Sequence, residues 1–248
     1  MKVIFHHDFY QQYSSDPAAS SGRMEAVIDA ITSKVDIINA EQALEEDISN
    51  VHTRSHIEYV KSVGVYGISA LAAGGAIQAA TIGLEEPAFG LIRPPGHHAS
   101  ENSSWGFCYF NNMAIALEKL KRQKKIENAY VLDIDLHYGD GTVNILGEKG
   151  YVNICNVDPS SRKNIMDKIA YEMKSCSADI IGISAGFDNH ELDWGGTLTR
   201  ENFYDIGRLV RKASKDSRGG CFGILEGGYN HDVLGENVMA LIGGLEAE

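Results

Sequence analysis

Short apolar runs alternate along this chain with longer stretches whose apolar residues recur every third or fourth position. That is the pattern of strands alternating with helices. Residues 3–5, 35–40, 88–92, 129–132, 151–157, 179–185 and 221–225 read as strands. Helical spacing appears over 23–34, 55–63, 68–84, 113–124, 164–175, 199–214 and 233–245. Asn111 or Asn112 and Thr199 are suited to cap the helices they precede. Gly74 and Gly75, inside the third helix, predict tight packing against a neighbour at a cost in helix propensity. The polar, serine-rich segment 11–22 reads as a surface loop. Strands that are apolar throughout, separated by helices, argue for one parallel, doubly wound sheet of the α/β class. No repeat, low-complexity segment or linker divides the chain, so residues 1–248 are expected to form a single domain.

The 248 residues are 44% hydrophobic, enough for a substantial core, and carry a net charge of −12. That acidity opposes non-specific binding to nucleic acid, which needs a basic footprint, and suits attraction of a cationic ligand. The basic run 121–125 falls at a helix C-terminus, where cations complement the dipole. Cys108, Cys155, Cys176 and Cys221 show no CxxC spacing and sit in apolar surroundings. They read as reduced thiols of a cytoplasmic protein. No signal peptide is expected ahead of the first strand, and no run approaches the roughly 20 apolar residues of a membrane span.

The chemistry gathers just past four strands. In 129–142, AYVLDIDLHYGDGT, ionisable groups occupy every second place: Asp133, Asp135 and His137. Continued strand geometry would put these three on one face. Three such groups at the end of a buried strand are costly unless paired, and carboxylate oxygen and imidazole nitrogen are both zinc ligands. A salt-bridged strand end is the other reading of that stretch. His97 and His98 follow a stiff Pro-Pro-Gly loop, Asp188 follows the strand at 179–185, and Tyr229 follows Gly227-Gly228 after the last strand. Open α/β sheets place their active sites at these carboxyl ends.

RPPGHHA at 93–99, GFCYFNN at 106–112, DIDLHYGDGT at 133–142, SAGFD at 184–188 and LEGGY at 225–229 occur in that order. Together they resemble the zinc-dependent histone deacetylase family, which includes acetylpolyamine amidohydrolases and acetoin-utilisation proteins. The resemblance implies an arginase-like three-layer fold with a mostly parallel, eight-stranded sheet between helices. It implies one catalytic zinc held by Asp135, His137 and Asp188, with an open position. His98 would be the general base and then the acid to the leaving amine, with His97 as its electrostatic partner. Asp133 would orient His97, and Asp140 would orient His98. Tyr229 would donate to the carbonyl and the oxyanion formed from it. Gly106 would offer a backbone acceptor to the scissile amide, and Phe107 one wall of the substrate tunnel. The carbonyls of Asp133, Asp135 and His137 would line a structural potassium site.

The chain departs from that family in several places. It is short, with the missing length falling between Thr142 and Tyr151 and between Val157 and Asn164. The second gap removes the loop that carries the other tunnel phenylalanine, so a shallower, wider tunnel lacking one wall is expected. Tyr138 stands where relatives have a second histidine, and Cys155 where the potassium site uses serine. Counting from Asp188 to the position of a known polyamine-selecting glutamate reaches Gly195, and Glu101 and Glu191 are the nearest acids to the mouth. The expected reaction is removal of an acetyl group from a small acetylated amine, with protein acetyl-lysine as runner-up. A two-metal ureohydrolase and a catalytically silent binder of acetylated ligands rank lower. Oligomeric state is left open.

Overall fold

The computed structural model describes residues 1–158 and 160–247. Seven strands form one parallel sheet: β1 (Lys2–Phe5), β2 (Asp36–Asn39), β3 (Ala88–Gly90), β4 (Ala129–Asp133), β5 (Val152–Asn156), β6 (Ile180–Ala185) and β7 (Gly220–Leu225). Their order is β2-β1-β3-β7-β6-β4-β5. All of the strands expected from the apolar runs are present, while the eight implied by the family resemblance are seven among the described residues. Every residue of β3, β4, β6 and β7 is buried. These four lie in the middle of the sheet, covered on both faces, which is why they read as unbroken apolar runs. The outermost strand β2 is largely exposed.

Nine helices flank the sheet among the described residues: α1 (Arg23–Ile31), α2 (Glu45–Ser49), α3 (Arg54–Ser62), α4 (Tyr66–Gly83), α5 (Asn112–Arg122), α6 (Asp140–Leu146), α7 (Arg162–Ser175), α8 (Arg200–Ser217) and α9 (His231–Glu246). The side chain of Asn111 accepts from the Ala114 amide at 2.9 Å and caps α5. Thr199 and Asn202 form a reciprocal capping box on α8. The short helix α2, with three acids in its first turn, carries too little apolar periodicity to be read from sequence.

Segment 11–22 is more than a surface loop. Ala18 and Ala19 are fully buried, as are the side chains of Arg23 and Arg93. Buried guanidinium groups need acceptors, and this segment supplies them. Arg93 donates to the carbonyls of Ser20 at 2.8 Å and Gln11 at 3.2 Å. Arg23 donates to the carbonyls of Glu226 at 2.6 Å and Gly228 at 2.8 Å. Arg93 thus fastens the amino-terminal segment to the loop after β3, and Arg23 fastens its end to the loop after β7.

The expectation for Gly74 is met. A Cβ there would lie 1.8 Å from the Glu41 carbonyl and 2.5 Å from the Ala43 nitrogen, because α4 packs directly on the backbone after β2. Gly67, in the first turn of the same helix, has only the end of Gln42 within 4.0 Å. The two positions should therefore respond to alanine with opposite signs. Gly67→Ala should stabilise by up to about 1 kcal/mol through helix propensity. Gly74→Ala should cost about 2 kcal/mol or more through backbone displacement. Thermal and urea denaturation of the two variants measures both.

Candidate active site

The strand order explains how distant segments meet. β3, β7, β6 and β4 are consecutive in the sheet, so the loops leaving their carboxyl ends are neighbours. Those loops carry His97 and His98, then Tyr229, then Asp188, then Asp135 and His137.

Only Asp133 of the alternating trio lies in a strand; Asp135 and His137 follow in a bend. Alternation along a strand is therefore not what groups them. The backbone curls because each carboxylate accepts from an amide two residues on. Asp133 Oδ1 accepts from the Asp135 amide at 3.1 Å, and Asp135 Oδ1 from the His137 amide at 2.9 Å. This local competition with the sheet ladder is typical of aspartate. The curl turns Asp135 and His137 toward Asp188.

Asp135, His137 and Asp188 each offer a ligand atom within 4.8 Å of the others. His137 Nδ1 lies 3.2 Å from Asp135 Oδ1 and 3.1 Å from Asp188 Oδ2. Asp188 Oδ1 accepts from the Leu136 amide at 3.0 Å, and Asp135 Oδ2 from the Gly227 amide at 2.9 Å. Asp188 Oδ2 is buried and makes no aligned hydrogen bond. Burial, then the charge of Asp135, pushes the Asp188 carboxyl up to about 7. Hydrogen bonding to Asp135 and Asp188 lifts His137 up to about 10. Both shifts express one demand: positive charge at the point where these three side chains meet. A divalent cation meets it with the ligand types zinc prefers, two carboxylates and one imidazole.

His97 and His98 pack beside this triad with tilted rings, centroids 4.0 Å apart. His97 Nδ1 bonds Asp133 Oδ2 at 3.1 Å, and its Nε2 lies 3.7 Å from Asp135 Oδ1. Burial opposes charge on His97, but Asp135 and Asp133 outweigh it and hold this imidazole well above its ordinary value. His98 Nδ1 bonds Asp140 Oδ1 at 2.7 Å, leaving Nε2 as the free ring nitrogen. Burial, then the adjacent His97, pushes His98 down to about 4. The pair is split into a charged member and a neutral one, the division that separates an electrostatic role from a base. Asp133 and Asp140, expected as orienting partners, lie against His97 and His98 respectively.

Gly106 and Phe107 adopt consecutive left-handed conformations, with φ of 56° and 67°. A Cβ on Gly106 would lie 2.4 Å from His98 Cδ2, so this loop closes on the base only because the residue is glycine. Phe107 and Tyr229 meet edge to face at 6.0 Å. They border a cavity of about 120 Å³ lined also by His97, His98, His137 and Gly227. Burial and the charges of Asp135 and Asp188 raise the Tyr229 phenol, keeping it a donor.

Several residues around the site carried no legible signal. Trp105 packs at a tilt on His98, centroids 3.8 Å apart, and donates from Nε1 to Asp140 Oδ2 at 2.9 Å. Trp194 stacks on Tyr229 at 4.1 Å. Glu226 Oε2 accepts from the amides of Gly96 at 2.6 Å and His97 at 3.2 Å, tying the histidine loop to the tyrosine loop. Glu191 pairs with Arg162 at 2.9 Å, and neither it nor Glu101 lines the cavity. At Gly195 a Cβ would lie 2.8 Å from Asn189 Cα, so a glutamate at that position has no room.

His52 is buried and bridges distant segments. Its Nε2 accepts from the Asn111 amide at 2.9 Å, which fixes the proton on Nδ1; Nδ1 then donates to the Ser100 carbonyl at 3.0 Å. The imidazole thus clamps both ends of the loop that carries Trp105, Gly106 and Phe107.

The chain is similar to several known proteins. Residues 62–159 match the family model described as the histone deacetylase domain. The chain is 28% identical to a probable deacetylase of Methanothermobacter thermautotrophicus, over 99% of this chain and 91% of that protein. Over that stretch the chain resembles the histone deacetylase family. A second probable deacetylase, from Archaeoglobus fulgidus, is 28% identical over 92% of this chain and 81% of its own length. The HDA15 HD domain, solved by crystallography, shares the fold with a TM-score of 0.84 at 22% identity, covering 97% of this chain and 88% of that one. The archaeal alignment runs over 305 positions against 248 residues here, so the relative carries segments this chain lacks.

His52 makes a pH prediction with a definite sign. Burial, then the neighbouring His56, holds its folded-state pKa down at about 3, against 6.5 when free. A depressed histidine contributes stability that is full above the unfolded value and lost as pH falls from there toward the folded one. Between pH 6.5 and 5 this residue should cost the protein about 2 kcal/mol. Urea titrations of wild type and His52→Gln should show the slope in wild type and a flatter dependence in the variant, which starts from lower stability.

Proposed function

We propose that the chain is a zinc-dependent deacetylase that hydrolyses the acetyl-amine bond of small acetylated amines. The observation that carries this reading is the meeting of Asp135, His137 and Asp188 within 4.8 Å, beside a histidine pair split by its two aspartates. Zinc held by those three would act as a Lewis acid on the amide carbonyl and lower the pKa of water. The chain's own groups do the rest. His98, neutral and oriented by Asp140, takes a proton from the attacking water at Nε2 and delivers it to the leaving amine. His97, charged and held by Asp133, stabilises the negative charge that develops beside it. The Tyr229 hydroxyl donates to the oxyanion, and the Gly106 carbonyl accepts from the scissile N–H. Phe107 walls the acyl-amine chain.

A cationic amine fits the net charge of −12, and no lysine or arginine lines the cavity. Acetyl-lysine in protein shares the same reacting group and is the second substrate on this reading. His97, Cys108 and Glu226 also lie within metal-binding reach of one another. However, Glu226 Oε2 is engaged by two backbone amides and His97 Nδ1 by Asp133, which speaks against a two-metal ureohydrolase. Carbonyls of Asp133, Asp135 and His137 are proposed to hold a structural potassium. The four free cysteines support a reducing compartment such as the cytoplasm, and residues 1–248 are read as one catalytic domain.

Metal analysis should find one zinc per chain, and Asp188→Ala should lose it. Acetate release should follow from acetylpolyamines, acetyl-lysine peptides or both, and that panel identifies the substrate. Tyr229→Phe should lower kcat by about 10²–10³, as loss of an oxyanion donor does, with little change in KM. A zinc-loaded protein that binds these ligands without releasing acetate would instead be a binder, and unchanged turnover in Tyr229→Phe would remove the oxyanion role.

A further inference from the structure

We infer that Trp194 is the second wall of the acyl-amine passage and the residue that sets how bulky an amide the site accepts. This rests on the amidohydrolase reading above. The loop between β5 and α7 contributes none of the cavity lining among the described residues, so a site bounded by Phe107 alone was to be expected. Trp194 comes instead from the loop after β6. Its indole stacks on Tyr229 with centroids 4.1 Å apart and planes at 27°, and meets His137 edge-on at 6.1 Å. Phe107 reaches the same tyrosine ring edge to face at 6.0 Å. Both aromatic residues therefore border the approach to the metal-binding triad. Trp194 is 53% exposed, which leaves one part of the ring at the opening and another against Tyr229.

The backbone beneath the indole is built to hold it there. Asp193 Oδ1 accepts from the Trp194 amide at 2.8 Å. Asp193 Oδ2 accepts from the amides of Tyr229 and Asn230, each at 2.8 Å. Asn230 Nδ2 donates to the Leu192 carbonyl at 2.6 Å, and the Gly195 amide to the Asp188 carbonyl at 2.7 Å. One carboxylate thus joins the loop of the wall to the loop of the oxyanion donor, and the next residue is tied to a metal-triad aspartate. An indole fixed in this way limits the cross-section of a substrate more strictly than a freely rotating side chain would. A bulky acyl or amine group enters only at the expense of the indole–phenol stack.

The test compares wild type, Trp194→Phe and Trp194→Ala on N-acetyl-, N-butyryl- and N-octanoyl-lysine methylamide. Trp194→Ala should lower kcat/KM for the acetyl substrate about tenfold, chiefly through KM. The acetyl-to-octanoyl preference should fall by at least about tenfold as well. Trp194→Phe should keep the preference within about threefold of wild type. An unchanged preference in Trp194→Ala, or an equal loss of kcat on every substrate, overturns the wall while leaving the deacetylase reading intact. A second arm needs no turnover. The chain has two tryptophans, so in Trp105→Phe the emission comes from Trp194 alone. Zinc-loaded protein titrated with N-acetyl-lysine methylamide should change that emission in step with binding measured by equilibrium dialysis. Binding with unchanged emission overturns the wall. Binding with changed emission and no acyl release from wild type supports the wall and sinks the hydrolase.

Discussion

The structure depends on keeping several carboxylates buried at one rim of the sheet. Asp133, Asp135, Asp188 and Glu226 are each no more than 2% exposed. Buried negative charge without partners is costly, and the rim is organised to supply them. Backbone amides of Gly96, His97, Asp135, Leu136, His137 and Gly227 all point at these carboxylates. His97 adds one positive charge between Asp133 and Asp135. The cluster still favours a further cation where Asp135, His137 and Asp188 meet. The geometry that makes the rim tolerable as a fold is the same geometry that makes it a candidate metal-binding site.

The fold was legible in the sequence because the central strands are covered on both faces and therefore apolar at nearly every position. The four loops could be identified as functional from their chemistry, but their adjacency could not. Nothing in the chain order shows that β7 lies between β3 and β6, yet that insertion brings Tyr229 and Glu226 between the histidines and Asp188. The grouping of Asp133, Asp135 and His137 was expected from a continued strand. The trio is instead folded over by hydrogen bonds to its own carboxylates, so strand alternation is not the physical reason for the grouping.

What escaped sequence reading shares a cause. Trp105, Trp194, Glu226 and His52 act on groups remote in the chain: Asp140, Tyr229, the Gly96–His97 amides, and the Ser100 and Asn111 backbone. No local periodicity records such contacts. Trp194 is the clearest case, because it precedes Gly195-Gly196 in a turn where a tryptophan carries no burial pattern at all. The missing loop after β5 was readable as an absence. The indole that lines the cavity from another loop was not readable, because the expectation of a one-walled tunnel considered only the segment after β5.

A shortened chain has to hold its active loops with fewer surrounding segments, and the bonding around the site reflects this. His52 closes the two ends of one loop, Glu226 joins the β3 and β7 loops, and Asp193 joins the β6 and β7 loops. Arg23 and Arg93 draw in segment 11–22, with Arg23 fastening the far side of the β7 loop. Each is a polar side chain bridging backbone groups of different loops. Such bonds fix position rather than merely add buried area, and a buried bridge that loses its side chain leaves backbone groups unpaired. The precision needed by Tyr229 and His98 is therefore carried by a few directional contacts instead of extra secondary structure. On the proposed reading, that arrangement holds the candidate catalytic groups in place with few segments, and it concentrates the sensitivity of the site in residues that do not line the cavity.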